Sequence, residues 1–246
     1  MGSLEDNFAG TGPLSAAYTN YNPGIAEAVG RVDSRYRFEL TDNTGNRSTW
    51  FDTLQGEGFF KSLSFFPGTT YSWIYRNVGI GQTTDSQTPP VFSSNPYTFC
   101  GCNIHVDPLS STDYLQVVVG YRGASAFGGT ERTVEFKKTI AGSSSVDDAG
   151  LNALTGSRAD LLFQLTRNGD GTTTCSVGWQ EPNLTYDTGT PDSFTPYDFT
   201  GTMPAFGDQI WVGPVTYAFE LNGLPFVGTI DRIQASVGQI GNFAAF

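Results

Sequence analysis

The sequence predicts an all-β protein, a two-sheet antiparallel β-sandwich, and three observations point there. Apolar and polar residues alternate in short runs along the whole 246-residue chain. Thirty glycines and thirteen prolines, with many Ser, Thr and Asn residues, separate those runs. Long helical periodicity is hard to find. The best helix candidate is a turn or two at 146–156, "VDDAGLNALTG", where acidic residues precede Ala149, Leu151 and Leu154.

Strand-like runs follow one another at 35–41, 58–66, 71–80, 97–106, 114–123, 132–140, on both sides of 168–171, and at 208–221 and 228–238. This spacing suits two antiparallel sheets rather than alternating βα units. In "RYRFEL" the apolar side carries Tyr36, Phe38 and Leu40, and the outer side Arg35, Arg37 and Glu39. In "DLLFQLTRNGDGTTTCSVGW" Leu161, Phe163 and Leu165 share one face, and Cys175, Val177 and Trp179 another. Between them "NGDG" supplies residues that tolerate positive φ, as a hairpin turn requires. A helical calcium loop needs several alternating carboxylates and a closing glutamate, which this stretch lacks, so Asp170 is read as a turn residue. The long stretches 79–97 and 180–208 keep aromatic residues and are read as ordered surface loops. No internal repeat is visible, and 1–246 reads as a single domain.

Thirteen Lys and Arg residues against twenty-four Asp and Glu give a formal net charge of −11. That field repels phosphates, so nucleic acid and anionic membranes are set aside as partners. No apolar run reaches the ~18 residues of a membrane span. The opening "MGSLEDNFAG" shows no basic region followed by an apolar one, so no signal peptide is read there. Cys100, Cys102 and Cys175 are too few for a disulfide framework. Zinc through Cys100, Cys102 and His105, the only histidine, is weighed against small buried thiols, and the thiols are preferred.

Several phrases together resemble a known family. The chain opens with "EDNFAGTGPLSAAYT", continues through "LLFQLTRNGDGTTTCSVGWQ" and "YDFTGTMPAFGDQIWVGPVTYAF", and closes with "GTIDRIQASVG". In this order they resemble the concanavalin A-like (laminin-G-type) jelly rolls of bacteria and their phages. The resemblance implies that the first and last strands lie side by side, sometimes joined by calcium. Glu5, Asp6 and Asp231 would supply the oxygens here. The fold hosts lectins, glycosidases, lyases and structural modules alike, so it implies no single function.

The glycosidases of this superfamily pair two glutamates on one strand with an aspartate between them, and no such pattern is present. Alginate-lyase-type jelly rolls order an arginine-rich strand, a Gln-Ile-His strand and a Tyr-Phe-Lys-Ala-Gly strand. Here "RYRFEL", "NIHVD" and "EFKKTIAG" appear in that order. On this resemblance Arg37 (or Arg35) would neutralise a uronate carboxylate and His105 would abstract the proton. Asn103 replaces the family's glutamine, and Glu135 stands where the family has tyrosine, leaving Tyr121 as a stand-in acid.

Two non-catalytic expectations remain. A lectin-like module would hold a glycan on aromatic rings, with Trp50, Trp73 and Tyr75 as the candidate platform. Alternation puts at least Trp179 and Trp211 in the core. A structural module on a virion or extracellular surface would dock on neighbouring copies, as a homo-oligomer or part of a larger assembly. The aromatic tail "NFAAF", with Phe243 and Phe246, suits that role. The expectation carried forward is a non-catalytic carbohydrate-binding or assembly module, with a polysaccharide lyase as the alternative.

Overall fold

The computed structural model describes residues 6–21, 28–32, 34–40, 57–81, 97–107, 112–122, 131–148, 153–219 and 226–239. Its strands are β1 (Thr19–Tyr21), β2 (Ala28–Val32), β3 (Arg35–Leu40), β4 (Glu57–Ser64), β5 (Thr69–Gly81), β6 (Tyr97–His105), β7 (Tyr114–Arg122) and β8 (Glu131–Ile140). Then come β9 (Ser143–Asp148), β10 (Arg158–Arg167), β11 (Thr173–Gln180), β12 (Thr195–Asp198), β13 (Gln209–Phe219), β14 (Phe226–Ile230) and β15 (Arg232–Gln239). A seven-stranded sheet runs β1-β4-β13-β6-β7-β8-β9. An eight-stranded sheet runs β12-β11-β10-β5-β14-β3-β2, with β15 also paired to β5. All strand pairs are antiparallel, as the alternating pattern requires.

Period two decides which side chains meet between the sheets. Tyr71, Trp73 and Tyr75 from β5, Leu161, Phe163 and Leu165 from β10, and Ile233 from β15 point inward from the eight-stranded sheet. Cys100, Cys102 and Ile104 from β6, Leu115, Val117 and Val119 from β7, and Ile210 and Val212 from β13 answer them. Each buried side chain of this size contributes about 1.5–3 kcal/mol relative to exposure. A second, smaller cluster of Phe60, Phe99, Tyr114, Val118 and Val215 lies on the other face of the seven-stranded sheet. Trp211 packs there, because Ile210 and Val212 take the inward positions of β13. The expected core position of Trp211 is therefore corrected to this outer cluster, while Trp179 does pack against the main core.

The central hairpin forms as read. β10 and β11 pair from Asp160↔Gln180 to Arg167↔Thr173. Asp170 accepts hydrogen bonds from the Thr172 amide (2.9 Å) and hydroxyl (2.6 Å), and of the turn residues only Gly171 takes a positive φ, 84°. β14 and β15 continue one register along β5, interrupted at Asp231 where the Asn77 side-chain amide meets its carboxylate at 2.7 Å. Two readings change. Val146 to Asp148 belong to β9, not to a helix, because they pair along β8 as an edge strand; 149–152 lie outside the described residues. The 180–208 stretch also contains β12, which extends the eight-stranded sheet beside β11.

Candidate functional site

Arg76 is the one charged residue in β5. Tyr75 and Asn77 flank it, so alternation turns Arg76 away from the core onto the outer face of the eight-stranded sheet, in line with Ser72 and Ile74. There it is nearly fully buried and fully engaged. Its Nη1 reaches Asp160 Oδ2 (2.9 Å) and Asp192 Oδ1 (2.7 Å), its Nη2 reaches Asp192 Oδ2 (2.7 Å), and its Nε donates to Gln234 Oε1 (2.6 Å). The Tyr186 ring lies 4.4 Å from the guanidinium carbon.

The two carboxylates are satisfied in turn. Asp160 accepts the Asn77 and Asn183 amides and the Gln180 side chain, at 2.7, 3.0 and 3.2 Å. Asp192 accepts Gln180 (2.9 Å) and the Asn183 side chain (3.0 Å), and the Arg76 hydrogen bonds hold its carboxyl below the usual range. Such charge-assisted, bidentate pairing fixes geometry as well as charge. Its structural effect is to fasten residues 181–194 across the sheet.

Beneath that segment lies a cavity of about 420 Å³. Ser72, Ile74, Gln234 and Ser236 form its floor, and Tyr186, Asp187, Thr190 and Pro191 its roof. A volume of this size is within the range of small-ligand pockets. Gln234 uses its carbonyl on Arg76, and its amide hydrogens make no bond among the described residues. Ile74 and Pro191 provide apolar wall, and Asp187 stands at the rim, 3.6 Å from Arg232. The arrangement offers donors, acceptors and an aromatic ring around a small volume. Among the described residues that line it, no nucleophile stands beside a base.

The opposite outer face, on the seven-stranded sheet, carries a second polar group. In register across β6, β7 and β8 stand Asn103, Gln116 and Lys137. His105 and Tyr114 pair one step along. All are buried, and Glu135 with them. Gln116 donates to Asn103 Oδ1 (2.8 Å), and Asn103 Nδ2 lies 3.0 Å from His105 Nε2. The His105 ring stacks on Tyr114 at 5.0 Å and meets the Phe60 edge at 4.9 Å. Burial pushes the imidazole down to about 3, so it is neutral at physiological pH.

The residues expected from sequence fall as follows. Trp73 and Tyr75 form no platform: both are fully buried between the sheets, where Trp73 stacks on Tyr71 at 5.3 Å. Trp50 lies outside the described residues. Arg37, His105 and Tyr121 do not converge. Arg37 pairs with Glu39 (2.6 Å) on the outer face of the eight-stranded sheet, whereas His105 is on that of the seven-stranded sheet. Tyr121 pairs with Thr98, at the far end of β7 from Tyr114, about 23 Å away at the usual rise per residue. Arg35 is held by Asp231 at 3.0 Å.

The zinc grouping also fails, because Cys100 and Cys102 face the core and His105 the opposite side of the same strand. The first and last segments do lie side by side, with Asp6 and Ile233 exchanging backbone hydrogen bonds of 2.9 and 2.7 Å. Of the three acids expected to hold calcium there, Asp6 and Asp231 are described. Asp231 Oδ1 forms an ion pair with Arg35 Nε at 3.0 Å, its Oδ2 accepts the Asn77 side-chain amide at 2.7 Å, and Asp6 Oδ1 accepts the Phe8 amide at 2.8 Å; Glu5 lies outside the described residues. Among the described residues no three His, Cys, Asp or Glu side chains gather to hold a metal.

The sequence reading missed Arg76, Asp160, Asp192 and Gln234. One signal was available: an arginine inside a 13-residue strand that is otherwise almost free of charge has to find a carboxylate.

No family model and no curated protein sequence matches the chain, but 98 solved chains match it in structure. The Lotus tetragonolobus seed lectin aligns over 97% of this chain and 99% of its own, at a TM-score of 0.51 and 10% identity. The lectin UEA-II complexed with galactose aligns over 96% and 98%, at 0.52 and 7%. A mutant of the alginate lyase Aly36B in complex with an alginate trisaccharide aligns over 97% and 98%, at 0.50 and 12%. The fold is the concanavalin A-like jelly roll. Lectins and a lyase share it, so the fold leaves the activity to be argued from the site.

Proposed function

We propose that the protein is a non-catalytic carbohydrate-binding module, and that the cavity between Tyr186–Asp192 and the outer face of β5 and β15 receives the sugar. The observation that carries this reading is a preformed volume of about 420 Å³ lined by a tyrosine, an amide, hydroxyls and a carboxylate. These groups match a pyranose, whose C–H faces pack on rings while its hydroxyls need both donors and acceptors. The roof is fixed before any ligand arrives, which lowers the ordering cost of binding. As part of the same proposal the module sits on a virion or bacterial surface, alone or beside neighbouring copies. Sedimentation of the chain with and without residues 242–246 tests the association.

A glycan array tests the binding. Saturable binding to one or more glycans is expected, and it should be lost when Ser236→Phe fills the cavity without lowering the thermal midpoint. An array with no binder would refute the reading.

The polysaccharide lyase remains a second reading because one observation favours it: His105 and Tyr114 stack, with the Lys137 Nζ 5.5 Å from the Tyr114 ring centroid. There Lys137 would neutralise the uronate, His105 would act as base and Tyr114 as acid. Two facts weigh against it. The ring lies buried, and an imidazole pushed down to about 3 is a weak base for a carbon-bound proton. Absorbance of an unsaturated product on incubation with alginate, lost in His105→Ala, would establish it.

A further inference from the structure

Resting on the cavity as the glycan site, we infer that its ligand is a neutral saccharide unit and that the site discriminates against uronic acids. The reason lies in how Arg76 is used. A guanidinium beside a sugar pocket ordinarily suggests capture of a carboxylate. Here Arg76 already holds Asp160 and Asp192, with three of its hydrogen bonds directed at their oxygens and a fourth at Gln234. Its flat face is covered by Tyr186.

The remaining charges point the same way. Asp187 stands at the rim, and Arg232 is its ion-pair partner. Three carboxylates (Asp160, Asp187, Asp192) against two guanidiniums (Arg76, Arg232) leave a formal charge of −1 around the cavity. The chain as a whole carries −11. A uronate brought into this volume would give up hydration and face resident carboxylates without a free cation among the described residues to replace the lost water. A neutral pyranose meets no such cost. Gln234 offers its side-chain amide, Ser72 and Ser236 their hydroxyls, and Asp187 an acceptor. The site thus uses its arginine to build the roof, and its specificity follows from the charge left over.

Matched glycoside pairs that differ only at C6 test this on the full chain by isothermal titration at low salt. The probes are the methyl glycosides of glucose, galactose and mannose, each against its methyl uronide. For whichever sugar binds, the neutral member should bind at least tenfold more tightly than the uronide. Asp187→Asn, which removes the rim charge at an exposed position, should narrow that ratio several-fold. Added salt should narrow it too. A uronide that binds as tightly as its neutral partner, or a ratio unmoved by both Asp187→Asn and salt, overturns the inference while leaving the glycan site standing. Absence of binding by all three pairs and by the array overturns the site itself, and the inference with it.

Discussion

At the scale of the residue, Arg76 carries the largest consequence. Asp160 is almost completely buried, and its charge is tolerable only because Arg76, Gln180 and two backbone amides meet it. Arg76→Met removes the cation and leaves that carboxylate stranded. The expected loss is about 3–5 kcal/mol by urea unfolding. Arg76→Lys should lose less, because the charge survives although the fork does not.

His105 gives a second residue-scale prediction, with its sign set by burial. The folded state keeps the ring neutral down to about 3, while the unfolded chain takes up a proton near 6.5. This residue's contribution is therefore complete above the unfolded pKa and declines as pH falls through the window between those values. A series of unfolding measurements should show His105→Asn losing less stability between pH 7 and pH 4 than the wild type does. Such residues are poorly legible in sequence. Trp73 and Tyr75 read as a platform because strand periodicity says which residues share a side, never which side is wet. Their burial depends on β5 being central in its sheet, and a single strand carries no sign of its position there.

Strands, at the next scale, were largely legible, and turn chemistry explains why. The β10–β11 hairpin follows from alternation on both flanks and a glycine where the turn needs positive φ. Gly171→Val should cost about 1–2 kcal/mol in thermal unfolding, the penalty for a branched side chain in the left-handed region. Gly213 is more exacting. A Cβ there would lie 1.8 Å from the Phe59 carbonyl oxygen, where β13 departs from its pairing with β4 around Pro214. Gly213→Ala should prevent accumulation of soluble folded protein, whereas Gly207→Ala, which meets nothing within 4 Å, should not.

The misreadings at this scale also have physical causes. Residues 146–148 carry two acids before small residues, which looks like a helix start, yet pairing along β8 decides their state. β12 is only four residues long and draws its stability from β11 and from the seam to the other sheet. In that seam Tyr197 stacks on Phe136 at 4.6 Å and donates its hydroxyl to Asp147.

The molecule as a whole places two polar constellations on opposite outer faces of one apolar sandwich. The sequence motifs pointed to the His105 side, because "NIHVD" and "EFKK" are contiguous and quotable. The Arg76 side is assembled from β5, β10, β11, β15 and the segment at 181–194, and it has no linear signature. The motif-based lyase site, Arg37 with His105 and Tyr121, comes apart because Arg37 belongs to the other sheet and Tyr121 sits at the far end of β7 from Tyr114, the partner of His105. The cavity under Tyr186, on the Arg76 side, is the volume on which the proposed sugar site rests.

The most direct test is saturation-transfer NMR on a neutral glycoside that binds, comparing wild type, Ser236→Phe and His105→Ala. The account predicts that transfer disappears in Ser236→Phe and persists in His105→Ala, with the sugar recovered unchanged. Transfer that survives Ser236→Phe but vanishes in His105→Ala would contradict it and move function to the other face.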